Sequence, residues 1–373
     1  MRILFACGGT AGHINPALAV ADILRRENKD TGILFAGNPA GMEARLVPQA
    51  GFDFAPIEIQ GFRRSLTPGN IRHNLLSLIC LASADRKARL MIKNFSPEII
   101  MGTGGYVSGP VLRAGAKMGI PTVTHEQNAL PGVTTKLLTK YVDKVLLSVE
   151  EAKAHLPVGR NYAVVGNPIR EDIIFADRVA ARERLGVRDK ICLLSFGGSL
   201  GAEKINESMA EVISHFHAKG NLHHLHAVGR YGIEEFLNIL ETKGVPLDAP
   251  HIDIRKYIDD MPDCLAAADL VICRSGAISI SEVQAAGRAS ILIPSPNVAG
   301  NHQYHNAMVL SVRNAAIVIE EKALSGSSLC ETVENLVDNP SKLQEIGRNA
   351  ASMAVVDAGR RIVKELADLK PTR

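Results

Sequence analysis

Tryptophan is absent from the 373 residues, and aromatic residues make up only 4%. That argues against aromatic platforms for stacked bases and against aromatic sugar-binding grooves. Cysteine is sparse as well. Cys7, Cys80, Cys192, Cys264, Cys273 and Cys330 form no C-x-x-C pair, and Cys7 and Cys192 lie within apolar runs. Such usage belongs to a reducing compartment rather than to a disulfide framework or a zinc site. No charge of one sign dominates: the formal net charge is +3, so nucleic-acid binding does not follow from it. No apolar stretch approaches the roughly 20 residues of a membrane span. The run Ile3–Cys7 breaks into glycine too early for a signal peptide, and the expectation is a cytoplasmic protein.

What is present is the balance of a globular chain, 46% hydrophobic and 22% charged. Its length exceeds what one core usually serves, so two domains are expected. An internal pseudo-repeat supports this. ILFACGGTAGH (3–13) and ICLLSFGGSLGA (191–202) each pair an apolar run with a glycine turn, and a helical pattern follows. Deeper in each half, IIMGTGGYVSGP (99–110) leads to TVTHE, and LVICRSGAISISE (270–282) leads to SILIP. Apolar runs bounded by glycine suit strands covered on both faces. The expected class is α/β: two Rossmann-like, doubly wound parallel-sheet domains facing a cleft. Residues 1–165 form the first domain, 166–169 the linker and 170–356 the second. A last helix over 357–373 is a candidate to pack back on the first.

The glycine turns carry the first chemical signal. At Gly8-Gly9-Thr10-Ala11-Gly12 and Gly197-Gly198-Ser199-Leu200-Gly201, small residues let backbone N–H groups approach a ligand, and each following helix aims its positive end there. Two such turns in register point to a phosphate. Neither reads G-x-G-x-x-G, and no P-loop motif occurs, which disfavours a dehydrogenase or an NTPase. Gly197-x-Ser199-x-Gly201 also matches a hydrolase nucleophile elbow. Thr10 stands at the equivalent place in the first half, however, so the repeat favours a backbone role over a single nucleophile.

Ser279-x-x-Glu282 has two readings: a helix capping box, which spacing alone favours, or a carboxylate for a ribose diol. His302, Gln303 and His305 offer groups suited to sugar hydroxyls, as would any polar loop. The histidines at 215, 217, 223, 224 and 226 lack the companions a metal site needs, and a structural role is expected. No D-x-D motif is present to hold a divalent ion on a diphosphate. Between residues 63 and 93, Arg63, Arg64, Arg72, Arg86, Lys87, Arg89 and Lys93 face one acid, Asp85, with Leu66, Ile71, Leu75, Leu76, Leu78, Ile79 and Leu81 interleaved. That mixture suits an anionic membrane surface, or an amphipathic core helix with a solvated basic face.

Taken in order, GGTAGHINPALAVA (8–21), GGYVSGP (104–110), HEQNALPG (125–132), GNPIR (166–170), GGSLGA (197–202), YIDDM (257–261), CRSGAISISEVQAAG (273–287) and HQYHNA (302–307) span the chain. Together they resemble the MurG family of bacterial cell-wall N-acetylglucosaminyltransferases, which convert lipid I to lipid II using UDP-N-acetylglucosamine. The resemblance implies the GT-B fold, an inverting transfer without a metal or other cofactor, and a second domain that binds the donor. It implies Ser199 and Arg170 at the diphosphate and Ile258 at uracil. It puts Ala277, Ile278, Ser279, Ile280 and Ser281 at the phosphates, Glu282 at the ribose and Gln303 at the sugar. Asn128, Thr10, Ala11 and Gly12 would reach the donor from the first domain. Gly104, Gly105, Tyr106, Ser108 and Glu126 would serve the acceptor. Arg63, Arg64, Arg72, Leu75, Leu76 and Ile79 would seat the chain on the cytoplasmic face of the cell membrane. His13, at the mouth of the first glycine turn, is the candidate base for the acceptor hydroxyl, since an imidazole titrates near neutral pH; alternatively it only positions the acceptor diphosphate. A nucleotide-sugar 2-epimerase and a non-catalytic sugar-nucleotide scaffold are the rival readings. Ala11 stands where the family often has glycine, which is tolerable if its φ is negative, and His302 stands where some members carry glutamine.

Overall fold

The structure is a computed structural model that describes residues 1–59, 83–187, 189–230 and 232–369. The chain divides into two compact units. Residues 1–169 with the C-terminal stretch from Val356 form one, and Arg170–Val355 form the other.

In the first unit the strands are β1 (Arg2–Cys7), β2 (Gly32–Gly37), β3 (Asp53–Pro56), β4 (Ile99–Gly104), β5 (Thr122–Glu126), β6 (Lys144–Leu147) and β7 (Tyr162–Val164). Helices α1 (Ala11–Glu27), α2 (Glu43–Gln49), α3 (described over 83–95), α4 (Ser108–Lys117) and α5 (Val133–Leu138) lie between them. All ladders are parallel, and the seven-stranded order is β3-β2-β1-β4-β5-β6-β7. Why the sequence folds so is visible in β1. Its apolar run has no polar face because both faces are covered: Ile3, Phe5 and Cys7 enter one core, Leu4 and Ala6 the other.

The second unit holds α6 (Glu171–Ile174), α7 (Arg178–Arg184), β8 (Ile191–Phe196), α8 (Glu203–Lys219), β9 (Leu222–Ala227), α9 (Ile233–Thr242), β10 (Ile252–Arg255), α10 (Met261–Ala267), β11 (Leu270–Cys273), α11 (Ala277–Ala285), β12 (Ala289–Leu292), α12 (His302–Ser311), β13 (Ile317–Val318), α13 (Gly326–Val337) and α14 (Pro340–Ser352). Its six-stranded sheet runs β10-β9-β8-β11-β12-β13, again parallel. The two orders superimpose strand for strand from the first, with β1 matching β8, β4 matching β11 and β5 matching β12. In each unit the strand order reverses beside the strand that carries the glycine turn, the place where open α/β sheets bind ligands. The final helix, α15 (Ala358–Ala367), rejoins the first unit. Its Ile362 and Leu366 are fully buried in the core shared with Ala17, Val20 and Leu24 of α1, and Lys144 pairs with Glu365.

The histidine-rich strand β9 is buried along its whole length. Ser195 Oγ lies 2.8 Å from His226 Nδ1, and the His226 ring packs 4.8 Å from Phe236. Among the described residues no group of three or more His, Cys, Asp or Glu could hold a metal. Burial instead pushes His223 down to about 4, and His224 and His226 down to about 3. These rings stay neutral in the folded chain but take up protons near pH 6.5 once unfolded. Their contribution to stability is therefore complete above pH 6.5 and drains as pH falls, by about 1.4 kcal/mol per histidine per pH unit. The urea midpoint is expected to drop steeply between pH 6.5 and 5, and His224→Leu should flatten that slope. A midpoint that stays level over this window in the native chain would contradict the account.

Candidate active site

In the second unit, the loops at the carboxyl ends of β8, β11 and β12 enclose a cavity of about 810 Å³. Gly197, Gly198, Gly201 and Ala202 form one wall with Glu203, Lys204 and Glu207 of α8. Arg274, Gly276 and Ser279 form another, and Ser295, Asn297, Gln303 and Glu321 complete it. The turn requires its glycines. Gly201 has φ +86°, and a Cβ there would lie 2.2 Å from the Val228 carbonyl. Gly276 is the N-cap of α11, and no side chain caps that helix. The helix start therefore offers its partial positive charge to the cavity, as an anion site does. Arg274 pairs with Glu321 and donates to the Ile293 carbonyl at 3.3 Å. Gln303 Oε1 accepts from the Ser295 amide at 2.9 Å, which leaves its NH2 group toward the cavity it lines.

The capping-box reading of Ser279 and Glu282 is wrong. Because Gly276 is the N-cap and α11 starts at Ala277, Ser279 is the third helical residue and Glu282 lies a further turn inside. Burial pushes the Glu282 carboxyl up to about 7, with Arg170 pulling it back and Asp172 adding to the rise. Arg170 itself is exposed, with Nε 3.4 Å from Asp172. Ser199 is exposed on the turn, its carbonyl accepting from the Arg230 amide at 3.2 Å, and Ile258 is buried after β10. Neither lines the cavity, nor does Arg170 or Glu282. Ala277, Ile278 and Ser281 are partly covered in the first turns of α11, and Ile280 faces the core.

In the first unit, the glycine turn after β1 is closed from below. Glu43, only 1% exposed, accepts from the Gly9 amide at 3.1 Å and from the Asn38 amide at 2.9 Å. The expectation that both turns present free amides to phosphate therefore fails here. One donor is used, and a carboxylate lies where a phosphate would bring like charge. Ala11 opens α1 and is not among the positive-φ residues, so its methyl is accommodated. Thr10 is the exposed N-cap, and Gly12 and His13 follow in the first turn.

His13 lies against β4. The β1–β4 register slips between Ala6 and Cys7, which sets Gly104 opposite Cys7. Gly104 has φ +111°, and a Cβ on it would sit 2.5 Å from His13 Nδ1; only glycine fits. Gly105, at φ +82°, is held as close to the Gly8 carbonyl. Two expected acceptor contacts have other work. Ser108 is fully buried, its Oγ 2.7 Å from the Ala6 carbonyl and 3.1 Å from the Gly104 amide, so it braces the turn. Glu126 is 3% exposed, and both its oxygens are taken. Oε1 accepts from the Asn128 backbone and side-chain nitrogens at 3.1 and 3.0 Å, and Oε2 from the Gly132 amide and Thr135 Oγ1 at 3.0 and 2.5 Å. A buried carboxylate with every oxygen satisfied shapes the loop that carries Asn128 rather than touching a ligand. Tyr106 is 55% exposed beside them.

Arg63, Arg64, Arg72, Leu75, Leu76 and Ile79 lie outside the described residues. Of the basic stretch that is described, Lys87 pairs with Glu58 at 2.8 Å and Arg89 with Asp85 at 2.9 Å, while Arg86 and Lys93 are exposed. No helix among the described residues is long and apolar enough to cross a membrane. Sequence reasoning missed Glu43, Glu203, Lys204, Glu207, Asn297 and Glu321. All lie outside every recognised motif, and Glu43 is 34 residues from the Gly9 amide it meets.

Comparison with known proteins bears on both units. The glycosyltransferase family 28 N-terminal domain matches residues 3–147, and the family 28 C-terminal domain matches 192–362. The UDP-N-acetylglucosamine–N-acetylmuramyl-(pentapeptide) pyrophosphoryl-undecaprenol N-acetylglucosamine transferase of Acetivibrio thermocellus is 41% identical over 370 residues, 99% of this chain and 98% of that one. The crystal structure of Acinetobacter baumannii MurG superimposes with a TM-score of 0.78 at 27% identity, covering 99% of both chains. A UDP-GlcNAc 2-epimerase from Neisseria meningitidis reaches 0.66 at 12% identity over 98% of this chain and 100% of that one, which is likeness of fold alone. With both family 28 domains matched and a full-length relative at 41% identity, this chain belongs to glycosyltransferase family 28 and, within it, to the MurG family.

Proposed function

We propose that this chain transfers N-acetylglucosamine from UDP-N-acetylglucosamine to the C4 hydroxyl of the N-acetylmuramyl unit of lipid I, the undecaprenyl-pyrophosphoryl acceptor, giving lipid II with inversion at C1. One observation carries the reading. The 810 Å³ cavity of the second unit joins an open glycine turn, an uncapped helix start and Gln303, a set suited to a diphosphate with a sugar attached. In this assignment the amides at the start of α11 (Ala277–Ser281) and the turn at Ser199 take the diphosphate, with Arg170 nearby. Glu282 accepts from the ribose hydroxyls, Ile258 meets uracil and Gln303 orients the N-acetylglucosamine. In the first unit, Gly104–Tyr106 serve the acceptor. Charge developing on the departing UDP is held by donors already in place, the economy of an oxyanion hole. The chain has no D-x-D motif, and the reading assigns it no metal or other cofactor.

The membrane reading gains a described element. Val133 and Leu137 on α5 and Tyr141 just beyond it are 67%, 59% and 44% exposed and stand four residues apart. Lys136, Lys140 and Arg113 are exposed around them. Apolar groups ringed by cations suit the anionic cytoplasmic face of the cell membrane, at about 1 kcal/mol per cation. Val133→Asp with Leu137→Glu is expected to cut sedimentation with phosphatidylglycerol vesicles about tenfold, since two buried aliphatic contacts are lost. Unchanged sedimentation would remove this face from the reading.

Incubation with UDP-N-acetylglucosamine and a short-chain lipid I analogue tests the activity. UDP release matched by disaccharide formation is the expected result, and it should survive EDTA. Donor consumed without acceptor would point to an epimerase; donor bound without UDP release would point to a scaffold. No observation favours either alternative.

A further inference from the structure

Behind His13 runs a line of hydrogen bonds that ends on the backbone. His13 Nδ1 lies 3.1 Å from Gln127 Oε1. Gln127 Nε2 lies 2.8 Å from the Thr103 carbonyl, 3.2 Å from the His125 carbonyl and 3.0 Å from His125 Nδ1. His125 Nε2 lies 2.9 Å from the Gly166 carbonyl. Gln127 is 4% exposed and His125 is 1% exposed, so no solvent competes.

The polarity of this line follows from its ends. A carbonyl oxygen only accepts, so His125 Nε2 carries the hydrogen and, in the neutral ring, Nδ1 is the lone pair. Burial keeps that ring neutral by pushing its pKa down, against the opposing pull of the Gly166 carbonyl and Glu126; His13 adds to the fall. The amide is fixed independently. Its NH2 faces two backbone carbonyls, and turning it over would set oxygen against oxygen at the 2.8 Å contact with Thr103. Oε1 must then face His13, and an oxygen can only be met by a nitrogen that donates. The residue is clamped at its backbone too, where Ser148 Oγ and Asn167 Nδ2 donate to the Gln127 carbonyl at 2.6 and 3.2 Å. Thr103 Oγ1 donates to the His13 carbonyl at 2.6 Å, and Gly104 lies against the ring.

We propose that Gln127, oriented by His125 and Thr103, is a positioning residue that holds His13 as the Nδ1–H tautomer, leaving Nε2 as the only nitrogen able to accept a proton. This rests on the reading of His13 as the base. In the step it serves, the C4 hydroxyl oxygen bonds to C1 of N-acetylglucosamine as the bond from C1 to the UDP oxygen breaks. The electron pair leaves with UDP, and the hydroxyl proton passes to His13 Nε2. Without Gln127 the ring is free to populate the other tautomer, in which Nε2 already carries hydrogen and cannot act.

Two-bond proton–nitrogen NMR of the full chain, labelled at histidine, reads the tautomer directly. A neutral His13 ring with protonated Nδ1 and bare Nε2 is expected; a neutral ring with the hydrogen on Nε2 in the native chain overturns the proposal. Gln127→Met, which keeps length but offers no acceptor oxygen, should mix the tautomers. It should lower kcat about 10–100-fold with the KM for UDP-N-acetylglucosamine unchanged, short of the larger cost known for a wholly wrong tautomer. If Gln127→Met leaves tautomer and kcat unaltered, the positioning role is overturned. Should His13→Ala turn over normally while the native tautomer is as expected, the base reading falls and the hydrogen-bond line stands.

Discussion

His13→Ala is expected to lower kcat by about 10²–10⁴-fold, the range that a positioned general base contributes. UDP affinity should hardly change, because the cavity assigned to the donor is built by residues of the second unit. The loss should therefore appear in kcat and not in the donor KM, the mark of an interaction made in the transition state. Its physical basis is placement. His13 sits in the first turn of α1 with Gly104 against its ring and Gln127 on Nδ1, so one nitrogen is committed and the other is left for chemistry. Steady-state rates with a short-chain acceptor decide the matter. Turnover within a few-fold of the native chain would remove the base role and leave His13 as a binding group for the acceptor diphosphate.

Glu282→Gln should weaken uridine nucleotide binding by about 10–100-fold at pH 8, since hydrogen bonds to a charged group contribute roughly 1.5–3 kcal/mol. The native chain should also show a pH dependence that the variant lacks. With its carboxyl raised to about 7 by burial, Glu282 is half-protonated near neutrality in the empty site. A ribose diol donates to the ionised form, so binding releases a proton and affinity rises with pH until the group is fully ionised. Below pH 7 the native advantage over Glu282→Gln should shrink by about tenfold per pH unit, as single-group linkage requires. Calorimetry with uridine, which has no phosphate to titrate, isolates the effect. A ratio of affinities that is flat from pH 6 to 8 would break the assignment of Glu282 to the ribose.

Much of the architecture was legible because it rests on local rules. Uninterrupted apolar runs ending in glycine marked β1, β4, β8 and β11 as strands covered on both faces, and their repetition marked two sheets of one topology. The second glycine turn and the uncapped start of α11 were legible for the same reason: bare backbone and a helix start are written in consecutive residues. Three misreadings share a different cause. Ser279 and Glu282 have capping-box spacing, but a cap depends on where the helix begins, and Ala277 begins it. Glu126 stands in a motif of ligand-like residues, yet its oxygens are spent on a loop that closes only in three dimensions. Glu43, 34 residues from Gly9, reaches beneath the first turn because α2 follows β2, the strand next to β1. Spacing along the chain carries no trace of such a neighbour. The partnership of His13 with Gln127 was hidden likewise: the two are 114 residues apart and meet only because β4 lies between β1 and β5.

The return of α15 to the first unit sets an order on how the protein comes into being. Residues 170–355 are contiguous and can collapse once they have left the ribosome, whereas the core of the first unit waits for α15. Until Ile362 and Leu366 arrive, the core they share with α1 and the sheet is incomplete. Of these two units, the one whose translation begins first is thus completed last, and core surface exposed in that interval favours aggregation. A premature stop near codon 356 would yield a finished second lobe tethered to a first that can never seal.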